Sequence, residues 1–273
     1  MAVTMAEISK LRTMTGAGMM DCKNALTEAE NDFDKAVEII RKKGQAVAAK
    51  RSDREASEGC VLAADKDDFA AVLALKCETD FVAKNADFVA LAQSILDVAM
   101  AEKPASLDAL KALSIEGRNI QELITERIGI TGEKMELDFY EFVQGAACVS
   151  YIHPGNKLAT VVAFNQTLDH KVARDVAMQV AAMSPVSLDR SGVPADVIEK
   201  ELEIGRDKAR QEGKPENMLD KIAQGRLNKF YQESTLLEQA FIKDSKITVA
   251  QYLQSVDKAL TATAFKRVTL NEE

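Results

Sequence analysis

Two histidines, four scattered cysteines and one acidic-aromatic string are the residues of this 273-residue chain that could do chemistry. His153 ends a predicted strand just before Pro154-Gly155, where an imidazole could act as a general base. No Ser or Cys nucleophile can be paired with it from the sequence, so a turn or interface residue is the preferred reading. His170 falls in the first turn of a predicted helix and reads as a solvated side chain. Cys22, Cys60, Cys77 and Cys148 form no Cys-x-x-Cys pair and have no neighbouring histidine to complete a zinc site. They read as buried, reduced thiols of an intracellular chain.

The string is Glu78-Thr79-Asp80-Phe81-Val82-Ala83-Lys84-Asn85, where a long apolar run stops and a loop-like run begins. Two readings stand side by side. Either Thr79 or Asp80 caps a helix and Phe81 packs back on the core, or Phe81 stands exposed beyond a strand end. Phosphate chemistry has no support: the pattern Gly-x-x-x-x-Gly-Lys followed by Ser or Thr is absent. Gly16-Ala17-Gly18 begins like a dinucleotide fingerprint but lacks the third glycine and follows a helix, so it reads as a helix-breaking turn.

The elements that must position these residues follow from periodicity. Thr4-Met5-Ala6-Glu7 is a capping box, and Met5, Ile8 and Leu11 share a helical face, so a first helix is predicted from about Met5. A second runs from about Met19 to Ala29. A third opens at Asn31-Asp32, carries Phe33, Val37 and Ile40, and is expected to stop at Lys42-Lys43-Gly44. Residues 46–58 read as a solvated connector, with a domain boundary near Arg54.

From Gly59 the pattern becomes a hairpin, Cys60 to Ala64 and Phe69 to Cys77, followed by a helix through Phe88, Leu91, Ile95 and Val98. The same order recurs as Cys148 to His153, the turn Pro154-Gly155-Asn156, Lys157 to Phe164, and a helix through Val172, Val176, Val180 and Met183. Cys60-Val61 answers Cys148-Val149, and Val72-Leu73-Ala74-Leu75 answers Val161-Val162-Ala163-Phe164, which suggests duplication. Between the repeats lie a helix near Asn119 to Ile128 and an alternating strand through Met135, Leu137 and Phe139. After the second repeat, Pro194 starts a charged helix to about Gln211, and a turn at Glu212–Pro215 leads to a helix carrying Leu219, Ile222, Leu227 and Phe230. The tail closes with Lys246 to Leu253 and a β-like Phe265 to Leu270. The expected fold is α+β: a three-helix module and linker over 1–54, core subdomains over 55–143 and 144–273, and an antiparallel helical hairpin inserted at about 194–231.

Composition narrows the class of function. Hydrophobic residues make up 47% and charged residues 29%, as in ordinary globular proteins, and the net charge is −8. Such a surface repels a nucleic-acid backbone, so no direct nucleic-acid binding is expected. No segment approaches the ~20 apolar residues that span a bilayer, and no leader pattern opens the chain. A cytoplasmic protein is expected.

Two strings, residues 11–26 (Leu-Arg-Thr-Met-Thr-Gly-Ala-Gly-Met-Met-Asp-Cys-Lys-Asn-Ala-Leu) and residues 77–85, closely resemble the two signature motifs of the elongation factor Ts family, in the same order and separation. The resemblance continues through Ser150-Tyr151-Ile152-His153, residues 177–182, and Glu212-Gly213-Lys214-Pro215 to Lys229-Phe230. It implies a module like ubiquitin-associated (UBA) domains, then a two-part core with an inserted helical hairpin. It also implies a guanine-nucleotide exchange factor that binds elongation factor Tu, both GDP-bound and nucleotide-free, with no cofactor and no bond-breaking chemistry. By the resemblance Thr79, Asp80, Phe81 and Val82 disturb the partner's magnesium site, while Met19, Met20, Lys23, His153 and Ile242 contact the partner. A homodimer or a two-plus-two complex with elongation factor Tu is compatible with it. Gln179 departs from a histidine common in the family, and Lys243 from a frequent apolar residue. An interaction scaffold without exchange activity and an α+β metabolic enzyme are the alternatives.

Overall fold

The computed structural model describes residues 3–271. Its contacts divide the chain into two compact units: Met1–Leu62 with Leu73–Glu141 and Leu270–Glu273, and Ala63–Val72 with Phe142–Thr269.

The first unit opens with α1 (Met5–Thr15), α2 (Met19–Glu28) and α3 (Phe33–Arg51). Thr4 and Glu7 form the expected capping box, and Gly16, at φ 69°, ends α1 in the left-handed region that glycine tolerates. Asp32 caps α3 by accepting from the Lys35 amide at 3.1 Å. Ile8, Leu11, Cys22, Ala25, Leu26 and Ala36 close a small core, from which Met5 is excluded as an exposed side chain. The third helix does not stop at Gly44 but continues to Arg51, so half of the expected connector is helical. Gly44 stays in the helix because it forms a crossing point with Gly129, a use of glycine that reads in sequence as a stop.

The hairpin β1 (Glu58–Lys66) and β2 (Phe69–Cys77) follows. Next come the one-turn α4 (Asp80–Ala83), α5 (Ala86–Glu102) and α6 (Leu107–Ala112). A miniature hairpin β3 (Ser114–Ile115) and β4 (Arg118–Asn119) then leads into α7 (Ile120–Thr131) and β5 (Met135–Gln144). The sheet order is β1-β2-β5. The expected alternation of β5 holds for Met135 and Leu137, then shifts: Phe139 is exposed while Tyr140 is buried, its hydroxyl donating to the Pro104 carbonyl at 2.9 Å. Neither α6 nor the β3–β4 pair was expected, since two-residue strands carry no periodicity.

In the second unit, β6 (Ala147–Ile152) and β7 (Leu158–Phe164) form the second hairpin, followed by α8 (His170–Met183). The helical hairpin is α9 (Ala195–Gln211) and α10 (Leu219–Ser234), with Gly205 packed against Ala223. The seven-residue connector sends α10 back along α9. The chain closes with β8 (Ala240–Phe241), β9 (Asp244–Thr248), α11 (Val249–Val256) and β10 (Ala262–Thr269). Strand β10 pairs antiparallel with β7, as β6 does, giving the order β10-β7-β6. Val149, Val162, Phe164, Val176, Val180 and Leu253 belong to the core beneath this sheet. Both halves share one plan: a hairpin, a helix, and a later strand added beside the hairpin's second strand. The fold is α+β with an N-terminal helical region.

Candidate functional site

The acidic-aromatic string begins where β2 ends. Thr79 caps α4, its hydroxyl oxygen accepting from the Val82 amide at 3.4 Å. A helix of four residues cannot sustain itself, because nucleation costs more than so few bonds return. Contacts from outside must therefore hold it. The Thr79 amide donates to Glu133 Oε2 at 3.1 Å, and the Thr79 hydroxyl donates to Glu133 Oε1 at 2.7 Å. Next to it, Glu78 Oε1 accepts from the Lys134 amide at 2.7 Å, and Glu78 Oε2 pairs with Arg51 at 3.2 Å. The Cys77 thiol, buried at the strand end, donates to the Thr79 carbonyl at 3.2 Å. Burial, and after it the nearby Glu133 charge, pushes this thiol up to about 12, so it stays protonated.

On this footing Phe81 is 85% exposed, the most exposed large apolar side chain described. Of the two readings of the string, Thr79 does cap the helix, but Phe81 does not pack back on the core. Val82 is half-buried beside it. Asp80 pairs with Lys84 at 2.6 Å one turn on, and this hydrogen bond and the lysine charge hold its carboxyl below the usual range. An exposed pair of this kind contributes little and is easily exchanged for another partner.

Met19, Met20 and Lys23 lie together on the first turns of α2, all exposed, with Met20 at 64%. His153 is exposed at the end of β6. Its amide donates to the Leu158 carbonyl at 2.8 Å to close the hairpin turn, and its Nδ1 lies 3.1 Å from the Tyr151 hydroxyl. Among the described residues, no serine or cysteine hydrogen-bonds to its ring. Ile242, 40% exposed, is presented by the β8–β9 turn.

That turn is clamped by two polar residues on the inner face of α8, which sequence reasoning did not identify as functional. Gln179 is fully buried; its amide donates to Ala240 O at 3.1 Å and Gln239 Oε1 at 3.2 Å, and its Oε1 accepts from the Ile242 amide at 2.8 Å. One turn earlier Asp175 accepts from Lys243 at 2.5 Å and from the Tyr252 hydroxyl at 3.1 Å. The two departures, Gln179 and Lys243, thus serve one clamp. Two polar residues in phase with Val172, Val176 and Val180 were the available signal. Glu133, 54 positions from Thr79, had none.

A cavity of about 380 Å³ lies in the first unit, lined by Met14, Gly16, Leu91, Arg118, Arg127 and others. Its arginines are paired, Arg118 with Glu126 and Arg127 with Asp87. His153 is not among the residues that line it. Among the described residues no group of three His, Cys, Asp or Glu could hold a metal ion, and no helix is long and apolar enough to cross a membrane.

A family model described as Elongation factor TS matches residues 78–272. Elongation factor Ts of Porphyromonas gingivalis is 64% identical over 274 aligned residues, covering all of both chains. That of Azobacteroides pseudotrichonymphae is 56% identical with the same full coverage. That of Amoebophilus asiaticus is 52% identical over 98% of this chain and 99% of its own. With such a match running from one end to the other, the chain belongs to the elongation factor Ts family.

Proposed function

We propose that this chain is a guanine-nucleotide exchange factor of translation elongation. It binds elongation factor Tu carrying GDP, disturbs the partner's magnesium site through Thr79, Asp80, Phe81 and Val82, and promotes GDP release so that GTP can bind. Family membership supports the exchange role. The single observation that carries the finer reading is the exposed Phe81 ring on a one-turn helix fixed at its root.

A ring this exposed has little internal packing to lose. Moving it into an apolar gap between helices of the partner contributes about 1.5–3 kcal/mol. Asp80, kept ionised by Lys84, brings a carboxylate with it. Near a hard cation that bridges protein and phosphates, such an oxygen donor perturbs the coordination shell. Met19, Met20 and Lys23 supply a second contact, and His153 and Ile242 a third. This reading takes the module over 1–54 and the core subdomains over 55–143 and 144–273 as its domains, and the cytoplasm, where translation runs, as its setting.

No bond is broken by the chain. A factor that prefers the nucleotide-free partner weakens the nucleotide by the same ratio as the nucleotide weakens the factor, through a ternary complex. The test mixes the protein with elongation factor Tu carrying a fluorescent GDP analogue and follows release into excess unlabelled nucleotide. Release much faster than the spontaneous rate is expected. Release at the spontaneous rate overturns the reading and favours a scaffold.

A further inference from the structure

The segments Glu78-Thr79 and Glu133-Lys134 lie just outside the ends of the neighbouring strands β2 and β5. Each supplies a carboxylate to the other's backbone: Glu78 accepts from the Lys134 amide, and Glu133 accepts from the Thr79 amide. The side chains thereby continue the pairing two residues beyond the sheet. Glu133 is doubly engaged, one oxygen on the Thr79 amide and the other on its hydroxyl. The hydroxyl proton is thus directed to Glu133 while its oxygen faces the Val82 amide, so the cap is oriented as well as present. Arg51, the last residue of α3, closes the clasp from the N-terminal helices by pairing with Glu78. Glu133 is in turn steadied by its own amide, which donates to the Thr131 hydroxyl at 3.2 Å.

We propose that Glu133 is the positioning residue of the exchange reaction, and that Glu78 with Arg51 backs it. None of the three reaches outward with Phe81; they act through Thr79. A ring on a mobile loop must be ordered when it enters the partner, and that cost is subtracted from what its burial contributes. The clasp removes the cost in advance. The inference rests on the exchange reading of Phe81 and names what makes that ring effective.

The variants are Glu133→Ala and the isosteric Glu133→Gln, in which the amide group opposes one of the two Thr79 donors. Release of a fluorescent GDP analogue from elongation factor Tu is measured against factor concentration, with and without Phe81→Ala. The limiting release rate is expected to fall about tenfold for Glu133→Ala and less for Glu133→Gln, the order expected when one or both charge-assisted bonds are lost. In the Phe81→Ala background the same change is expected to add almost nothing, because a residue acting only through the ring has nothing left to position. The chain contains no tryptophan, so Phe81→Trp places a single reporter on the finger. Its fluorescence anisotropy should fall when Glu133→Ala is added.

A full additional loss from Glu133→Ala in the Phe81→Ala background marks a merely structural role and overturns the proposal. So does an unchanged release rate, or an anisotropy that does not move. A wild-type chain that fails to accelerate release overturns the exchange reading and the clasp's role with it, which separates the two failures.

Discussion

Gly44 and Gly129 cross backbone to backbone: a Cβ placed on Gly129 would lie 2.6 Å from the Gly44 Cα. Helices α3 and α7 therefore meet closer than a side chain at position 129 allows, within the stretch of α3 that runs on to Arg51. The geometry is not symmetric. A Cβ on Gly44 would meet the Thr125 carbonyl at 3.4 Å, a tight but tolerable approach. Gly129→Ala is expected to lower stability by about 1–3 kcal/mol through forced separation of the helices. Gly44→Ala should be nearly neutral, since a helix-propensity gain of up to about 1 kcal/mol offsets its milder crowding. Urea unfolding midpoints of the two variants check the asymmetry.

The buried thiols make a prediction about pH. Burial pushes Cys60 and Cys77 from an ordinary value of 9.0 up to about 12. The folded state therefore holds these protons more tightly than the unfolded chain does. Their contribution is fully present below about pH 9 and is lost as pH rises from there through about 12. Labelling of the native protein by a thiol reagent at pH 8 should be slow at both positions and rapid after denaturation. The urea midpoint should fall between pH 9 and 11. Fast native labelling of Cys77 would show that its strand end opens.

How much of this was legible from sequence depends on whether a residue's partner is near it in the chain. The cap of α1 by Thr4 and Glu7, strand β2 from Phe69 to Cys77, and helix α9 from just after Pro194 were each read from local pattern and are found there. The continuation of α3 past Gly44 was not legible, because its reason lies in Gly129, far along the chain. The site divides the same way. Phe81 stood out because an aromatic among polar residues is visible in one string, yet Glu133, which bonds the Thr79 cap beside it, lies 54 positions away. The phase shift at Phe139 and Tyr140 was hidden for the same reason, since Tyr140 is drawn inward by the carbonyl of Pro104.

Gln179 is the strongest test of the third contact, the one that includes Ile242. Gln179→Leu preserves much of the volume but leaves the Ile242 amide and the Ala240 carbonyl without this partner. Each unpaired buried polar group costs about 1–3 kcal/mol. The thermal midpoint should drop, and the complex with elongation factor Tu should weaken as the β8–β9 turn loosens around Ile242. Gln179→His keeps a donor and an acceptor and should recover part of both. Calorimetric titration beside circular dichroism separates affinity from folding. A stability loss without any loss of affinity would remove Ile242 from the interface.

The finger itself predicts a division of labour between its two outermost residues. Phe81 is exposed and packs little on its own chain, so Phe81→Ala should leave the folded state intact. It should slow GDP release by roughly 10–150-fold, the rate equivalent of about 1.5–3 kcal/mol of lost burial. Asp80 should behave differently, because its effect on a partner's cation depends on charge. Asp80→Asn keeps the shape and removes the charge. It should lose release activity in buffer with ample magnesium and lose less when magnesium is scarce, since a depleted site needs no disturbing. Phe81→Ala should lose activity at both magnesium levels, because filling an apolar gap does not depend on the ion. Stopped-flow release at two magnesium concentrations distinguishes the roles. Identical magnesium dependence for the two variants would mean that Asp80 and Phe81 act as a single wedge, with no separate electrostatic part.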